Sequence, residues 1–280
     1  MSLEWTPLKP KIGAELRIDS EALLDGGHAG EIRNLLVKRG VLIVRGANLT
    51  DDQQRAFTRT LGDLRLGEVK QEGEGGLMKV TMDMRENPQY AEFFPGTFFW
   101  HMDGTYERIP PFATVLTPRV LSPEGGDTEF ASTYAAFEDL PDDEQKYLET
   151  LQVVHSLHAA MFHAVPDARL EDYKVWMDYP KPTYPLVWQH KSGRKSLVLS
   201  TSASHVVDMH PADSRALLDR LFAHATQEQY VYHHRWQMGD LLIWDNTGTM
   251  HRVRPYDPAS GRVLHRFTLN GEEPITAGAA

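Results

Sequence analysis

The stretch from Tyr230 to Leu269 reads YVYHHRWQMGDLLIWDNTGTMHRVRPYDPASGRVLHRFTL. It divides into three extended runs, Tyr230 to Trp236, Asp240 to Trp244 and Arg262 to Leu269, separated by a turn at Gly239 and a loop from Arg252 to Gly261. The middle run is an apolar strand that leaves a glycine turn and ends in the polar pair Asp245-Asn246. Three strands this close, with no helix between them, belong to an antiparallel arrangement.

The same texture continues towards the N-terminus. Leu186 to His190 and Ser196 to Ser200 read as a strand pair joined by Lys191-Ser192-Gly193-Arg194, with glycine supplying the turn. Thr128 to Ala131 reads as a short strand, and Ala113 to Val120 as a strand interrupted at Pro118. Val41 to Arg45 is a buried strand entered from the helical run Glu31 to Lys38. Helices are predicted from a Thr50/Gln53 capping box to a stop at Gly62, from Leu140 to Leu151, and from Pro211 to Ala225. Gly67 to Gly76 reads as an exposed glycine-rich loop, and residues 159–182 as the least regular part, an insertion over a pocket. Many short strands without regularly alternating helices predict a mainly β fold with flanking helices, a double-sheet sandwich or jelly roll, rather than a parallel α/β fold. Residues 1–280 are read as a single domain carrying a possible lid at 159–182.

Composition narrows the chemistry. A net charge of -10 and the absence of a basic stripe argue against nucleic acid. No run of eighteen apolar residues and no leader-like N-terminus is present, so a cytoplasmic protein without a membrane partner is expected. With no cysteine, any metal has to be held by His, Asp, Glu or carbonyl oxygens.

Such a donor set can be assembled. In an extended segment residues two apart share a face, so His101 and Asp103 of Trp100-His101-Met102-Asp103 can grip one ion. His251, beyond the apolar strand, is the third candidate. Two imidazoles and one carboxylate form the facial triad of non-haem iron(II), which leaves positions for a bidentate 2-oxoacid and for dioxygen. The far carboxylate of such an acid calls for a cation with a fixed fork, and Arg262 opens a strand on which Arg266 shares its face. Two inward arginines on one strand require anionic company. The aromatics Phe93, Phe94, Phe98 and Phe99 suit a pocket wall and a plain core role equally.

Four motifs in this order, W-H-M-D at 100 to 103, G-G-D-T at 125 to 128, W-D-N-x-x-x-x-H at 244 to 251 and R-x-x-x-R at 262 to 266, resemble the family of taurine dioxygenase and 2,4-dichlorophenoxyacetate dioxygenase. The resemblance runs from about Glu31 to Pro274. It implies a double-stranded β-helix with iron at its mouth and an enzyme that uses Fe(II), 2-oxoglutarate and dioxygen. By motif, His101, Asp103 and His251 match the iron ligands, and Thr128 and Arg262 the residues that bind the distal carboxylate of 2-oxoglutarate. Trp244 matches an aromatic wall beside the cosubstrate. Arg266 matches a second inward arginine, which implies a contact to substrate or cosubstrate.

Two departures bear on the substrate. Thr247 follows W-D-N where the family often has arginine, and no histidine between Leu61 and Trp100 matches the one that taurine dioxygenase uses for sulfonate. Tyr184-Pro185-Leu186-Val187 and the segments after it are more similar to the 2,4-dichlorophenoxyacetate branch, which implies a small anionic, aryloxyalkanoate-like substrate. The implied reaction is hydroxylation coupled to decarboxylation of 2-oxoglutarate to succinate, with cleavage where the hydroxylated carbon bears an ether oxygen or other heteroatom. Asp103 stands where a halogenase would leave room for halide. Desaturation or cyclisation in a biosynthetic pathway, and a non-catalytic metal- and oxoacid-binding role, stay open on the motifs alone. A homo-oligomer is the general expectation.

Overall fold

The computed structural model describes residues 3–66, 74–87 and 93–278. The strands, in chain order, are β1 (Trp5–Pro7), β2 (Ala14–Leu16), β3 (Val41–Val44), β4 (Met78–Val80), β5 (Ala113–Val120), β6 (Thr128–Ser132), β7 (Gln152–His155) and β8 (Thr183–Pro185). They continue with β9 (Val187–Gln189), β10 (Lys195–Leu197), β11 (Ala203–Val206), β12 (Val231–His234), β13 (Leu241–Asp245), β14 (Thr249–Val253) and β15 (Val263–Thr268). A seven-stranded sheet has the order β1-β2-β3-β13-β5-β15-β4 and is antiparallel except where β2 meets β3. A second, antiparallel sheet β12-β6-β14 faces it, which gives the jelly roll its two layers. A three-stranded sheet β11-β7-β8 and the pair β9-β10 complete the β structure.

The apolar run of β13 follows from its central place between β3 and β5, with both faces covered. Leu241 packs with Phe267 against the helices Ala29–Arg39 and Asp51–Leu61. Leu242, Trp244 and Leu264 face the other way, towards Phe130, Tyr232 and Val253 of the second sheet. Each such side chain contributes about 1.5–3 kcal/mol on burial, so a one-residue slip that exchanged the faces would expose the core. The helix Asp51–Leu61 carries both bonds of its capping box, Gln53 N–H to Thr50 Oγ1 at 3.3 Å and Thr50 N–H to Gln53 Oε1 at 3.0 Å, and stops at Gly62. The helix Pro211–Ala225 runs as its sequence predicts.

Four expectations need correction. Pro118 does not interrupt β5, because pairing to β13 ends at Leu116 and the register with β15 shifts where Val263 and Leu264 meet Val120 and Pro118, so the missing N–H costs no ladder bond to β13. The helix read from Leu140 to Leu151 is only Asp142–Leu148, with Pro141 at its N-cap. Residues 159–182 are regular, since the helices Leu157–Ala164 and Leu170–Asp178 occupy most of them. Thr249–Val253, whose last two residues fall in the loop read from Arg252 to Gly261, is a full strand, and its near-continuous burial erased the alternation that would have marked it. Of the loop Gly67 to Gly76, residues 67–73 lie outside the described residues, and Glu74–Gly76 forms a short 3-10 turn. Among the described residues no helix is long and apolar enough to cross a membrane.

Candidate functional site

His101 and His251 are brought together by backbone. The N–H of each donates to the carbonyl of the other, at 3.0 and 2.8 Å, so a single antiparallel bridge on the edge of β14 sets the two residues directly opposite. Side chains of such a pair leave the same face, and the ring centroids are 4.1 Å apart. His101 belongs to no longer strand, for the chain turns at Asp103, yet the alternation expected of H-x-D survives. Met102 points away into a cluster with Trp188 and Val198, while Asp103 returns to the side of His101. Asp103 Oδ1 lies 4.0 Å from His101 Nε2 and Oδ2 lies 3.9 Å from His251 Nε2. One donor atom from each residue lies within 4.8 Å of the others, and the trio could hold a metal ion.

The donor chemistry suits a cation. His101 Nδ1–H donates to the Phe99 carbonyl at 2.8 Å, which leaves the Nε2 lone pair aimed at Asp103. Burial lowers the basicity of His101 more than the Asp103 charge raises it, and burial together with His101 takes His251 well below the usual range. Burial pushes the Asp103 carboxyl up, but the Arg266 guanidinium and the two imidazoles outweigh it and hold the group well below the ordinary carboxylate range. Neutral imidazoles and an ionised carboxylate are the forms that bind metal. Arg266 donates to Asp103 Oδ2 at 2.7 Å and, through Nε, to Thr268 Oγ1 at 3.1 Å, so it fixes the carboxylate from behind.

Beside the trio a cavity of about 170 Å³ lies between the two sheets. Its walls include Thr128 from β6, Trp244 from β13, His251 from β14 and both Arg262 and Arg266, so the two arginines do turn to one side. Thr128 Oγ1 accepts from Trp236 Nε1 at 3.0 Å. The Trp244 ring lies 4.9 Å from the His251 ring and 5.7 Å from the Arg266 guanidinium carbon. The buried Arg262 donates to the Gly126 carbonyl at 2.7 Å and lies 4.8 Å from the Tyr256 ring. The G-G-D-T motif has a steric reading here. A Cβ at Gly126 would meet Arg262 Nε at 2.7 Å, and one at Gly125 would meet the Pro255 carbonyl oxygen at 2.1 Å. Both residues also have positive φ, at +76° and +68°. This cradle of two guanidiniums, a hydroxyl and an indole fits a small dianion with one end at the trio.

A second cavity, of about 400 Å³, opens on the other side of His101 and Asp103. Leu157, Ala160 and Met161 of the helix Leu157–Ala164 form one wall, Phe93 and Thr97 separate it from the first cavity, and Thr105, Tyr106, Ser200, Thr201 and Ser202 bring hydroxyls. Arg266 lines the first cavity and not this one. Of these residues only Phe93 stands out in the sequence, since the others carry no spacing or type that sets them apart. Its neighbour Phe94 is wholly buried core.

Comparison with known proteins agrees with this construction. Residues 4–268 match the family described as taurine catabolism dioxygenase TauD, TfdA family. The alpha-ketoglutarate-dependent 2,4-dichlorophenoxyacetate dioxygenase of Cupriavidus pinatubonensis is 36% identical over 96% of this chain and 98% of its own length. The (S)-phenoxypropionate/alpha-ketoglutarate-dioxygenase of Sphingobium herbicidovorans is 31% identical over 97% of this chain and 96% of its own. The crystal structure of AAD-2 in complex with Mn(II) and N-oxalylglycine superposes with a TM-score of 0.81 at 30% identity, covering 98% of this chain and 100% of that one. A donor trio between a charged and an uncharged cavity, in a jelly roll matched along nearly its whole length, makes this chain a member of the TauD/TfdA family of Fe(II)- and 2-oxoglutarate-dependent dioxygenases.

Proposed function

We propose that this oxygenase hydroxylates a small anionic, aryloxyalkanoate-like molecule, with bond cleavage where the hydroxylated carbon bears the ether oxygen. The observation that carries the proposal is that the two cavities meet at His101 and Asp103 and differ in charge. His101, Asp103 and His251 hold the iron. Arg262, with the Thr128 hydroxyl, receives the distal carboxylate of 2-oxoglutarate, and Trp244 walls its chain. Arg266 positions Asp103 and, at the junction of the two cavities, receives the anionic end of the substrate. When bound, iron with 2-oxoglutarate and dioxygen supplies the oxidant. The residues of the chain orient the substrate carbon, balance charge and keep water out. The helices Leu157–Ala164 and Leu170–Asp178 act as the lid of the larger cavity, within one domain. The resemblance of the chain to phenoxyalkanoate dioxygenases supports the substrate class. A cytoplasmic homo-oligomer is the expected setting.

Anaerobic titration of the iron(II)-loaded protein with 2-oxoglutarate tests the site. A weak visible charge-transfer band should appear with the oxoacid and disappear in Arg262→Ala at the same concentration. Succinate release with phenoxyacetate, above the rate without it, tests the substrate class. A band without substrate-dependent succinate would sink the aryloxyalkanoate reading while leaving the cofactor site intact.

A further inference from the structure

The larger cavity has a polar floor that is wired into the protein interior. His155 is fully buried at the end of β7, and its Nδ1 lies 2.9 Å from Ser202 Oγ. Ser202 Oγ in turn lies 3.0 Å from Thr105 Oγ1, and Ser202 and Thr105 both line the cavity. Among the described residues, His155 Nε2 meets no hydrogen-bond partner. That asymmetry fixes where the protons sit. Burial takes the imidazole down to about 4, so the ring is neutral and carries one N–H. Were that hydrogen on Nε2, a buried donor would be orphaned, which is costlier than leaving a ring nitrogen without a donor. The hydrogen therefore belongs on Nδ1 and is given to Ser202. Ser202 Oγ, with that lone pair filled, still holds its own hydrogen and a second lone pair and faces both Thr105 Oγ1 and the Tyr106 hydroxyl; in the arrangement where its hydrogen goes to Thr105 Oγ1, the Thr105 hydroxyl hydrogen is left to face the cavity.

The charge inventory agrees. Apart from Asp103, which the proposed metal site uses, no ionised side chain lines this cavity among the described residues. A carboxylate or ammonium pushed onto its floor, away from the junction where Arg266 holds Asp103, would lose hydration with no partner to replace it.

We propose that the floor of the larger cavity selects the far end of the substrate, taking an uncharged aromatic substituent that accepts a hydrogen bond, such as a carbonyl or ether oxygen, from Thr105 under the direction of Ser202 and His155. Thr105 is the specificity-determining contact, and Ser202 and His155 are positioning residues. This rests on the reading of the larger cavity as the substrate site, and the test separates the two.

Acetophenone and isopropylbenzene are compact probes of one ring size that differ in the acceptor. Their binding to the iron(II)- and 2-oxoglutarate-loaded enzyme is measured without oxygen, by ligand-observed NMR. Acetophenone should bind about three- to tenfold tighter than isopropylbenzene, the size of one net hydrogen bond. Thr105→Val and His155→Leu should each bring the two probes level, whereas His155→Asn, whose amide can donate to Ser202, should restore the preference. A merely structural role for His155 would not be rescued in that selective way. Isopropylbenzene binding as tightly as acetophenone in the wild type, or a preference unchanged in Thr105→Val, overturns the proposal. If acetophenone shows the expected preference but phenoxyacetate releases no succinate, the floor stands and the aryloxyalkanoate reading falls.

Discussion

The two cavities that share His101 and Asp103 are built by different means. The smaller is made of sheet: Val80, Leu116, Thr128, Trp244, His251 and Arg266 all come from strands whose register fixes which way they point. The larger takes its walls from one helix, the turn after Asp103 and the bend at Ser200 to Ser202. The first is charged and rigidly indexed, as suits a cosubstrate that never changes. The second is uncharged and held by elements that can be exchanged without disturbing the ladder, as suits a substrate that differs among relatives. On the proposed assignment, specificity sits where the scaffold is least constrained.

The hinge of that comparison is the donor trio, and its removal gives the largest effect. His101→Ala should lower substrate-dependent succinate release about 1000-fold or more, because loss of an outer partner alone costs 10–100-fold in related metal sites. The mutual backbone bonds of residues 101 and 251 need no side chain, so the variant should keep the wild-type circular dichroism. A variant of normal fold with unimpaired turnover would remove His101 from the site.

A pair of buried groups sharpens the contrast through pH. Asp245, at the end of β13, accepts from Thr247 N–H at 2.8 Å and from its hydroxyl at 2.6 Å, with burial pushing the carboxyl up to about 6. A carboxyl raised in the folded state stabilises below its unfolded value near 4 and loses that contribution as pH rises through 6. His155 is the reverse case: with a folded value of about 4, its contribution is present above its unfolded value near 6.5 and is lost as pH falls through 4. Each is worth about 3 kcal/mol at its limit. Urea midpoints across this window should therefore show Asp245→Asn gaining on the wild type as pH rises, and His155→Asn gaining as pH falls. Parallel slopes in the two variants would contradict the assigned protonation states.

Next in size, Arg262→Lys keeps the charge of the smaller cavity but loses the fork. The KM for 2-oxoglutarate should rise about 30-fold, with the ratio of kcat/KM among aromatic substrates unchanged at saturating cosubstrate. A changed substrate ratio would mean that the two cavities do not act separately.

The same division explains what is legible in the sequence. On the proposed roles, His101, Asp103, Thr128, Trp244, His251, Arg262 and Arg266 sit in motifs because each meets a partner of fixed size through a fixed register. A strand period of two is enough to put Arg262 and Arg266 on one face, and the register shift opposite Pro118 leaves that face intact because the extra residue is in β5. Thr105, Ser202 and Met161 meet in space only because the turn at Asp103, the bend before β11 and the helix Leu157–Ala164 converge, and no local pattern encodes that. The helices in 159–182 are hidden for a related reason. Pro166 and the bulky aromatics break the amphipathic period, and Phe162, Leu170 and Val175 are exposed, so the apolar stripe that marks a helix is blurred.

The smallest effect expected comes from a single methyl group. Gly126 stands at φ +76°, a conformation that costs an alanine about 1–2 kcal/mol, and its added Cβ would also lie 2.7 Å from Arg262 Nε. Gly193, in the turn between β9 and β10, has a similar φ of +87° but nothing within 4 Å of an added Cβ. Both Gly126→Ala and Gly193→Ala should lower the melting temperature by a few degrees through backbone strain alone. Only Gly126→Ala should weaken 2-oxoglutarate, by about tenfold, because Arg262 has to leave the Gly126 carbonyl to make room and its fork then misses the carboxylate. Differential scanning calorimetry beside the charge-transfer titration separates the two contributions. Equal 2-oxoglutarate affinity in both variants would mean that the glycine of G-G-D-T serves the turn and not the guanidinium, and the link from motif to cosubstrate would have to run through Thr128.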